Sequence, residues 1–356
     1  MKPYQTGNRP PCPGLRQCYQ GGNPKRYAVK MSRLHTAVCD LLGCDYPVMA
    51  AGMGGPSRSE LVAAVTEAGG FGFLGMVRET PRRIQTEIER VRARTKRNFG
   101  VNIIPAATPP DVFEAQLETI LALKPFAVAL FWDVARDAIA RLRDAGILVV
   151  HQVGSAEEAA QAQDAGAEVL IAQGIEAGGH VRARMPLRET LKEVVAIARV
   201  PVLASGGIAG GKGVAEVLRA GAQGAVLGTA FLATEESFAH DYHKKRIAQA
   251  REGDTVYTQA FHINWPQGAY VRVLANSVTH GGRGDPFDGR REVIGQEKSR
   301  PIYLFSTDSP LRDMTGDFEA MALYAGEGIA AINDIVPAAE RLRRIVTEAE
   351  DALGGA

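Results

Sequence analysis

The sequence lacks the marks of several large protein classes. Its 41 Lys and Arg nearly balance 40 Asp and Glu, leaving a net charge of +1. No basic field therefore marks it for nucleic acid or an anionic membrane surface. No apolar run reaches membrane-spanning length. Aromatic residues make up only 6% while glycine numbers 39, a balance that points away from all-β architecture. The four cysteines, Cys12, Cys18, Cys39 and Cys44, all fall in the first eighth of the chain. Their spacings match no zinc pattern, and a disulfide framework does not suit a chain this long. They read as reduced thiols of a cytoplasmic protein.

With 356 residues, 46% of them apolar, the chain suffices for one barrel-sized domain with an annex, or for two domains. Residues 1–30 stand apart. They carry Lys2, Arg9, Arg16, Lys25, Arg26 and Lys30, no acid, and many Pro, Gly and Gln. That composition predicts a disordered tail, with Met31 as an alternative start. Neither a signal-peptide core nor an amphipathic transit pattern is present.

From residue 46 a strand–helix unit repeats. The apolar runs are Pro47-Val48-Met49-Ala50, Phe71-Gly72-Phe73-Leu74, Phe99-Gly100-Val101-Asn102-Ile103, Ala127-Val128-Ala129-Leu130-Phe131 and Ile147-Leu148-Val149-Val150, then 169–172, 202–204 and 225–227. Amphipathic segments lie between them, opened by Ser57-x-x-Glu60, Thr80-Pro81, Thr108-Pro109 and Ser155-x-x-Glu158. The two Ser-x-x-Glu sets predict capping boxes, and Pro suits a first helical turn. Ala-Gly pairs at 68–69, 145–146, 165–166 and 220–221 end helices just before strands. Eight such units make a (β/α)8 TIM barrel over residues 31–235 the best reading. A doubly wound open sheet is the rival, because periodicity does not show closure. Residues 236–356 predict a mostly helical annex over the barrel mouth. It has helices at 238–251, 315–329 and 337–352, a strand at 255–261, and an irregular stretch at 262–313. A helical extension with no role in the site is the alternative.

Chemistry in such a barrel sits in the loops after the strands. The sixth run leads into Gln173-Gly174-Ile175-Glu176-Ala177-Gly178-Gly179-His180, poor in packing residues and rich in reactive ones. Gly178 and Gly179 let the backbone approach a ligand, and His180 at the loop end has a ring able to titrate near neutral pH. A plain Gly-Gly turn with a solvated histidine is the bland alternative. The seventh run leads into Ser205-Gly206-Gly207-Ile208-Ala209-Gly210-Gly211-Lys212-Gly213, and the eighth into Gly228-Thr229. Glycines before helix N-termini at these two adjacent strand ends predict a phosphate cradle; tight turns alone would also use them. A phosphate-bearing cofactor held there would reach Gly52-Met53-Gly54-Gly55, Asn102 and Gln173. Asn102 and Gln173 offer both donors and acceptors, as a flavin's pyrimidine edge requires. Met53 can lie against an aromatic ring.

These motifs resemble, in order, those of the nitronate monooxygenase family, formerly called 2-nitropropane dioxygenases. The stretches are Ala50-Ala51-Gly52-Met53-Gly54-Gly55-Pro56-Ser57, Gly100-Val101-Asn102, 173–180, 205–213 and Leu227-Gly228-Thr229-Ala230-Phe231-Leu232. The similarity covers roughly residues 36–235, and more loosely Tyr324-Ala325-Gly326. It implies a TIM barrel that binds FMN non-covalently, with Asn102, Gln173, Gly178, Gly207, Gly228 and Thr229 on the cofactor and His180 as catalytic base. Two departures stand out. Val181-Arg182-Ala183-Arg184 follows the histidine where the family usually has Arg-Gly, and Phe261-His262-Ile263-Asn264-Trp265-Pro266 differs too.

The resemblance implies oxidation of nitroalkanes or nitronates by O2 to a carbonyl compound and nitrite, with His180 removing the α-proton. An NAD(P)H-dependent reductase acting on a quinone or enoyl thioester is the alternative within the fold. His151, at the end of the fifth run, is a rival base. A metal-dependent lyase or hydrolase could draw on Asp133, His151, Glu176 and His180, but none of these shows helical ligand spacing, and no metal site is expected.

Overall fold

The computed structural model describes residues 33–354, and the basic segment 1–30 lies outside them. Strands β1 (Val48–Ala50), β2 (Phe71–Gly75), β3 (Gly100–Ile103), β4 (Ala127–Phe131), β5 (Leu148–Val153) and β6 (Val169–Gln173) follow one another round a barrel. β7 (Gly179–Val181) leaves it, and β8 (Val202–Ser205) and β9 (Gly224–Leu227) complete it. β1 pairs in parallel with β9, Met49 opposite Val226, so the sheet closes. The doubly wound alternative is thereby excluded. All eight apolar runs are barrel strands.

Strand alternation sorts the core into two layers. Met49, Phe73, Ala129, Val150, Ile171, Leu203 and Val226 fill the interior. Val48, Ala50, Val101, Val128, Leu170 and Ala204 face the surrounding helices. Helix α1 (Ala37–Leu42) adds Val38, Cys39 and Leu42 to the interior set. The outer helices are α2 (Ser59–Glu67), α3 (Pro81–Arg94), α4 (Pro110–Leu123), α5 (Arg136–Asp144), α6 (Ala156–Ala165), α7 (Leu187–Ile197) and α8 (Gly211–Arg219), with the short α9 (Thr229–Leu232) after β9.

The caps differ in detail from the sequence pattern. Thr80 accepts from Arg83 N at 3.2 Å, as expected for α3. Ser155 accepts from Glu158 N at 3.2 Å, but the Glu158 carboxylate reaches back to Gly154 N at 2.7 Å, one residue further than a capping box requires. The box at Ser57 does not form. Ser57 is buried, and its hydroxyl donates to Ala51 O at 2.7 Å and accepts from Met53 N at 3.1 Å. It shapes the loop after β1 instead, and α2 starts two residues later.

After α9 come α10 (Asp241–Ala248), β10 (Thr255–Thr258), β11 (Tyr270–Leu274), β12 (Val293–Glu297), β13 (Arg300–Tyr303), β14 (Met314–Gly316) and α11 (Ala338–Gly354). The strands form two three-stranded sheets, β10-β11-β7 and β13-β12-β14. The expected helix at 315–329 is replaced by β14 and two 3-10 turns, Phe318–Ala320 and Glu327–Ala331. Ala320, Met321, Ala322, Leu323 and Ala325 are buried almost in succession, which suits extended chain enclosed on both sides and not a one-faced helix. The stretch expected to be irregular, 262–313, contains β11, β12 and β13. α11 matches its expected stripe, with Leu342, Ile345, Val346 and Ala349 buried. Among the described residues no helix is long and apolar enough to cross a membrane.

Candidate active site

A cavity of about 600 Å³ lies at the carboxyl ends of the barrel strands, within the size range of small-ligand sites. Met53, Asn102, Gln173, Gly178, Gly179, His180, Gly206, Gly207, Gly228 and Thr229 all line it. The annex supplies the facing wall through Asn264, Trp265, Arg300, Asp308, Leu311 and Tyr324.

The floor near β8 and β9 is backbone. Gly206 and Gly207 have φ of 120° and 68°, values an L side chain resists, so the chain turns with no side chain over its amides. Thr229 Oγ1 accepts from Gly326 N at 3.0 Å, tying β9's end to the annex. The N-terminus of α8, expected to face an anion, has another partner. Gly211 N donates to Glu348 Oε2 of α11 at 2.6 Å, and residues 210–213 do not line the cavity. The cradle is therefore 206–209 with 228–229. All six of these residues line the cavity, and a glycine-rich turn of this kind fits a phosphate-bearing group.

Gln173 is buried, and its side chain is bonded at both ends. Its Nε2 donates to His180 O at 3.0 Å, and its Oε1 accepts from Arg182 N at 2.8 Å. The same side-chain amide lines the cavity and clamps β7. Asn102 donates through Nδ2 to Ala129 O at 3.2 Å.

His180 lies within a strand and not at a free loop end, because Val271 of β11 pairs with it. Its ring stacks on Trp265, with centroids 3.3 Å apart and planes at 15°, and Tyr324 lies 5.6 Å away. Burial, reinforced by the positive charge of Arg78, pushes the imidazole pKa well below 6.5. The ring is thereby held in its neutral form at neutral pH. Its Nε2 is buried without a hydrogen-bond partner.

Arg78, in the turn after β2, has φ 57°. It donates to Asn264 O at 2.6 Å and Thr307 Oγ1 at 3.4 Å, holding the annex loop to the barrel. Tyr324 donates to Thr307 O at 2.8 Å, and burial raises its phenol pKa above the ordinary range. Arg78, Trp265 and Tyr324 are site residues that no local sequence pattern marks. Gln152 was legible. It follows His151 in β5, and alternation puts one of the pair inward. Gln152 lines the cavity, while His151 does not; His151 is buried with Nδ1 2.9 Å from Gln152 O. The metal alternative loses Glu176, whose carboxylate accepts from Leu187 N at 3.0 and 2.8 Å to cap α7. Among the described residues no three His, Cys, Asp or Glu side chains are arranged to hold a metal.

A family model described as nitronate monooxygenase matches residues 35–348. The chain belongs to the nitronate monooxygenase family. It is accordingly a flavin-dependent oxidoreductase. A Mycobacterium tuberculosis protein named (3aS,4S,5R,7aS)-5-hydroxy-7a-methyl-1-oxo-octahydro-1H-indene-4-carboxyl-CoA dehydrogenase is 30% identical over 347 residues, covering 89% of this chain and 96% of that protein. A probable nitronate monooxygenase of Staphylococcus aureus is 30% identical over 276 residues, covering 66% of this chain and 78% of its own. Two solved structures align over 90% of this chain. FabK from Thermotoga maritima has a TM-score of 0.78 at 28% identity over 98% of that chain, and nitroalkane oxidase from Streptomyces ansochromogenes 0.73 at 31% over 99%. Both departures from the nitronate monooxygenase pattern now have a place. Val181 sits in β7, Arg182 pairs with Glu158 at 2.6 Å, and the segment 261–266 delivers Trp265 onto the histidine.

Proposed function

We propose that the chain binds FMN and oxidises nitroalkanes and nitronates with O2. Two nitronate ions and one O2 give two carbonyl compounds and two nitrite ions, so atoms and charge balance. The observation that carries this reading is His180, a neutral imidazole with an unpartnered Nε2 in the wall of a cavity lined by the glycine backbone of Gly206, Gly207 and Gly228. Gly206, Gly207, Gly228 and Thr229 would hold the phosphate. Met53, Asn102, Gln173, Gly178 and Gly179 would border the ring system, with Gln173 also holding the backbone of β7.

His180 takes the α-proton of a neutral nitroalkane. A base this desolvated is weak when alone. The nitronate formed beside it supplies the negative charge that offsets Arg78 and stabilises the imidazolium. The annex wall excludes water from that ion pair. FMN, when bound, supplies the electron transfer between the nitronate and O2. Purified protein should be yellow, release FMN and not FAD on denaturation, and consume O2 with nitrite release when given a nitronate. A colourless protein that takes up no flavin from excess FMN contradicts this reading.

One observation favours a second reading. The cavity wall also includes the apolar Val77, Leu311 and Met314, which suit a bulkier substrate such as a quinone or enoyl thioester, reduced at the expense of NAD(P)H. A relative named as a carboxyl-CoA dehydrogenase points the same way. Anaerobic consumption of NADH or NADPH with a quinone, without nitronate turnover, would select it.

A further inference from the structure

Two nitrogens in the cavity wall are buried without a hydrogen-bond partner, His180 Nε2 and Trp265 Nε1. The indole N–H can only donate, and a buried donor left unmade is costly and calls for an explanation. For His180 the explanation is its role as base. Trp265 needs its own.

The indole is a built feature of the site. Its backbone N–H donates to His262 O at 3.2 Å. The residue before it, Asn264, has φ 73° and accepts from Arg78 at 2.6 Å. Trp132 meets its ring edge-on, with centroids 5.7 Å apart and planes at 88°. A Phe would serve a packing role there equally well, whereas the N–H has a use only when an acceptor arrives. The stack on His180, with centroids 3.3 Å apart, places that N–H within a few ångströms of the base. An indole N–H points outward in the ring plane, so an acceptor meets it at the ring edge and not between the stacked rings.

We propose that Trp265 is a catalytic residue whose indole N–H donates to an oxygen of the substrate's reacting group. Resting on the function proposed above, that group is the nitro group. As the α-carbon–hydrogen bond breaks, its proton goes to His180 and its electron pair moves onto the nitro oxygens, one of which accepts from Trp265. The donor is thus aimed where charge develops. It lies in a segment, 261–266, that differs from the family pattern, so it would be a property of this chain.

The test uses flavin-loaded protein and nitrobenzene, which has nitro oxygens but no α-proton, with binding followed by the flavin absorbance. Trp265→Phe should weaken binding about tenfold with flavin content and Tm unchanged. It should lower kcat/KM by a similar factor for a nitroalkane and for its nitronate. Trp265→Tyr, which restores a donor at the ring edge, should bind more tightly than Trp265→Phe. Wild-type affinity in Trp265→Phe, equal weakening in both variants, or no nitrobenzene binding by the wild type each overturns the proposal. Because this readout needs no turnover, nitrobenzene binding of the expected pattern without nitroalkane oxidation would defeat the proposed function and leave Trp265 as a donor to another oxygen-bearing substrate.

Discussion

Gln173 holds His180 by its backbone, donating to the His180 carbonyl at 3.0 Å while accepting from Arg182 N at 2.8 Å. One side chain at the end of β6 therefore fixes the register of β7, and with it the position of the base. Gln173→Leu removes both hydrogen bonds and should cost about 1–3 kcal/mol of stability. Misplacement of the imidazole should lower kcat by about tenfold to a hundredfold, with flavin content retained. Thermal unfolding and steady-state kinetics measure the two effects separately. A variant with normal kcat would show that β7 is held by β11 alone.

Arg78 should set the acid limb of activity. A neutral His180 is required, and its pKa lies well below 6.5 through burial first and Arg78 second. kcat/KM for a neutral nitroalkane should thus be flat from pH 6.5 upward and fall only at more acidic pH. Arg78→Gln removes the positive charge, so the folded-state pKa rises and the limb moves up toward 6.5. A pH–rate profile that does not move contradicts the assignment.

Glu348 caps α8 from the far end of the chain, accepting from Gly211 N at 2.6 Å. Glu348→Ala should cost about 1 kcal/mol and leave flavin affinity unchanged, since Gly211 does not line the cavity. Gly211→Ala should be far worse, because its Cβ would sit 2.2 Å from Ile345 O. Loss of flavin in Glu348→Ala would return the α8 N-terminus to the cofactor site.

The barrel was legible because its strands are buried on both faces and so read as unbroken apolar runs, and because its site glycines carry their own geometric reason. The annex was less so. β7 is three residues long, and its partner β11 lies some ninety residues downstream, so nothing local marks His180 as a strand residue. Ser57 fits a capping box by spacing, yet burial gives its hydroxyl other partners. Glu348 reads as a solvated helix face until α11 packs on α8. Trp265 has no pattern at all; only the fold brings it to the histidine.

His243 should make stability fall in acid. It is buried, with Nε2 donating to Tyr324 O at 3.1 Å, and burial lowers its pKa to about 4. The unfolded chain binds this proton below about 6.5 and the folded chain only below about 4. Stability from this group is therefore complete above 6.5 and declines as pH falls toward 4, by roughly 3 kcal/mol. His243→Gln should flatten Tm against pH over that window. An unchanged slope would place the titration elsewhere.

The most direct test of the account compares one variant on two substrates. His180→Asn keeps a polar side chain and removes the base. With a neutral nitroalkane the loss in kcat/KM should be about 10²–10⁴-fold, whereas with the preformed nitronate, whose proton is already gone, it should be much smaller. Equal losses on both substrates, or a selective loss in His151→Asn instead, would contradict the assignment of His180 as the base.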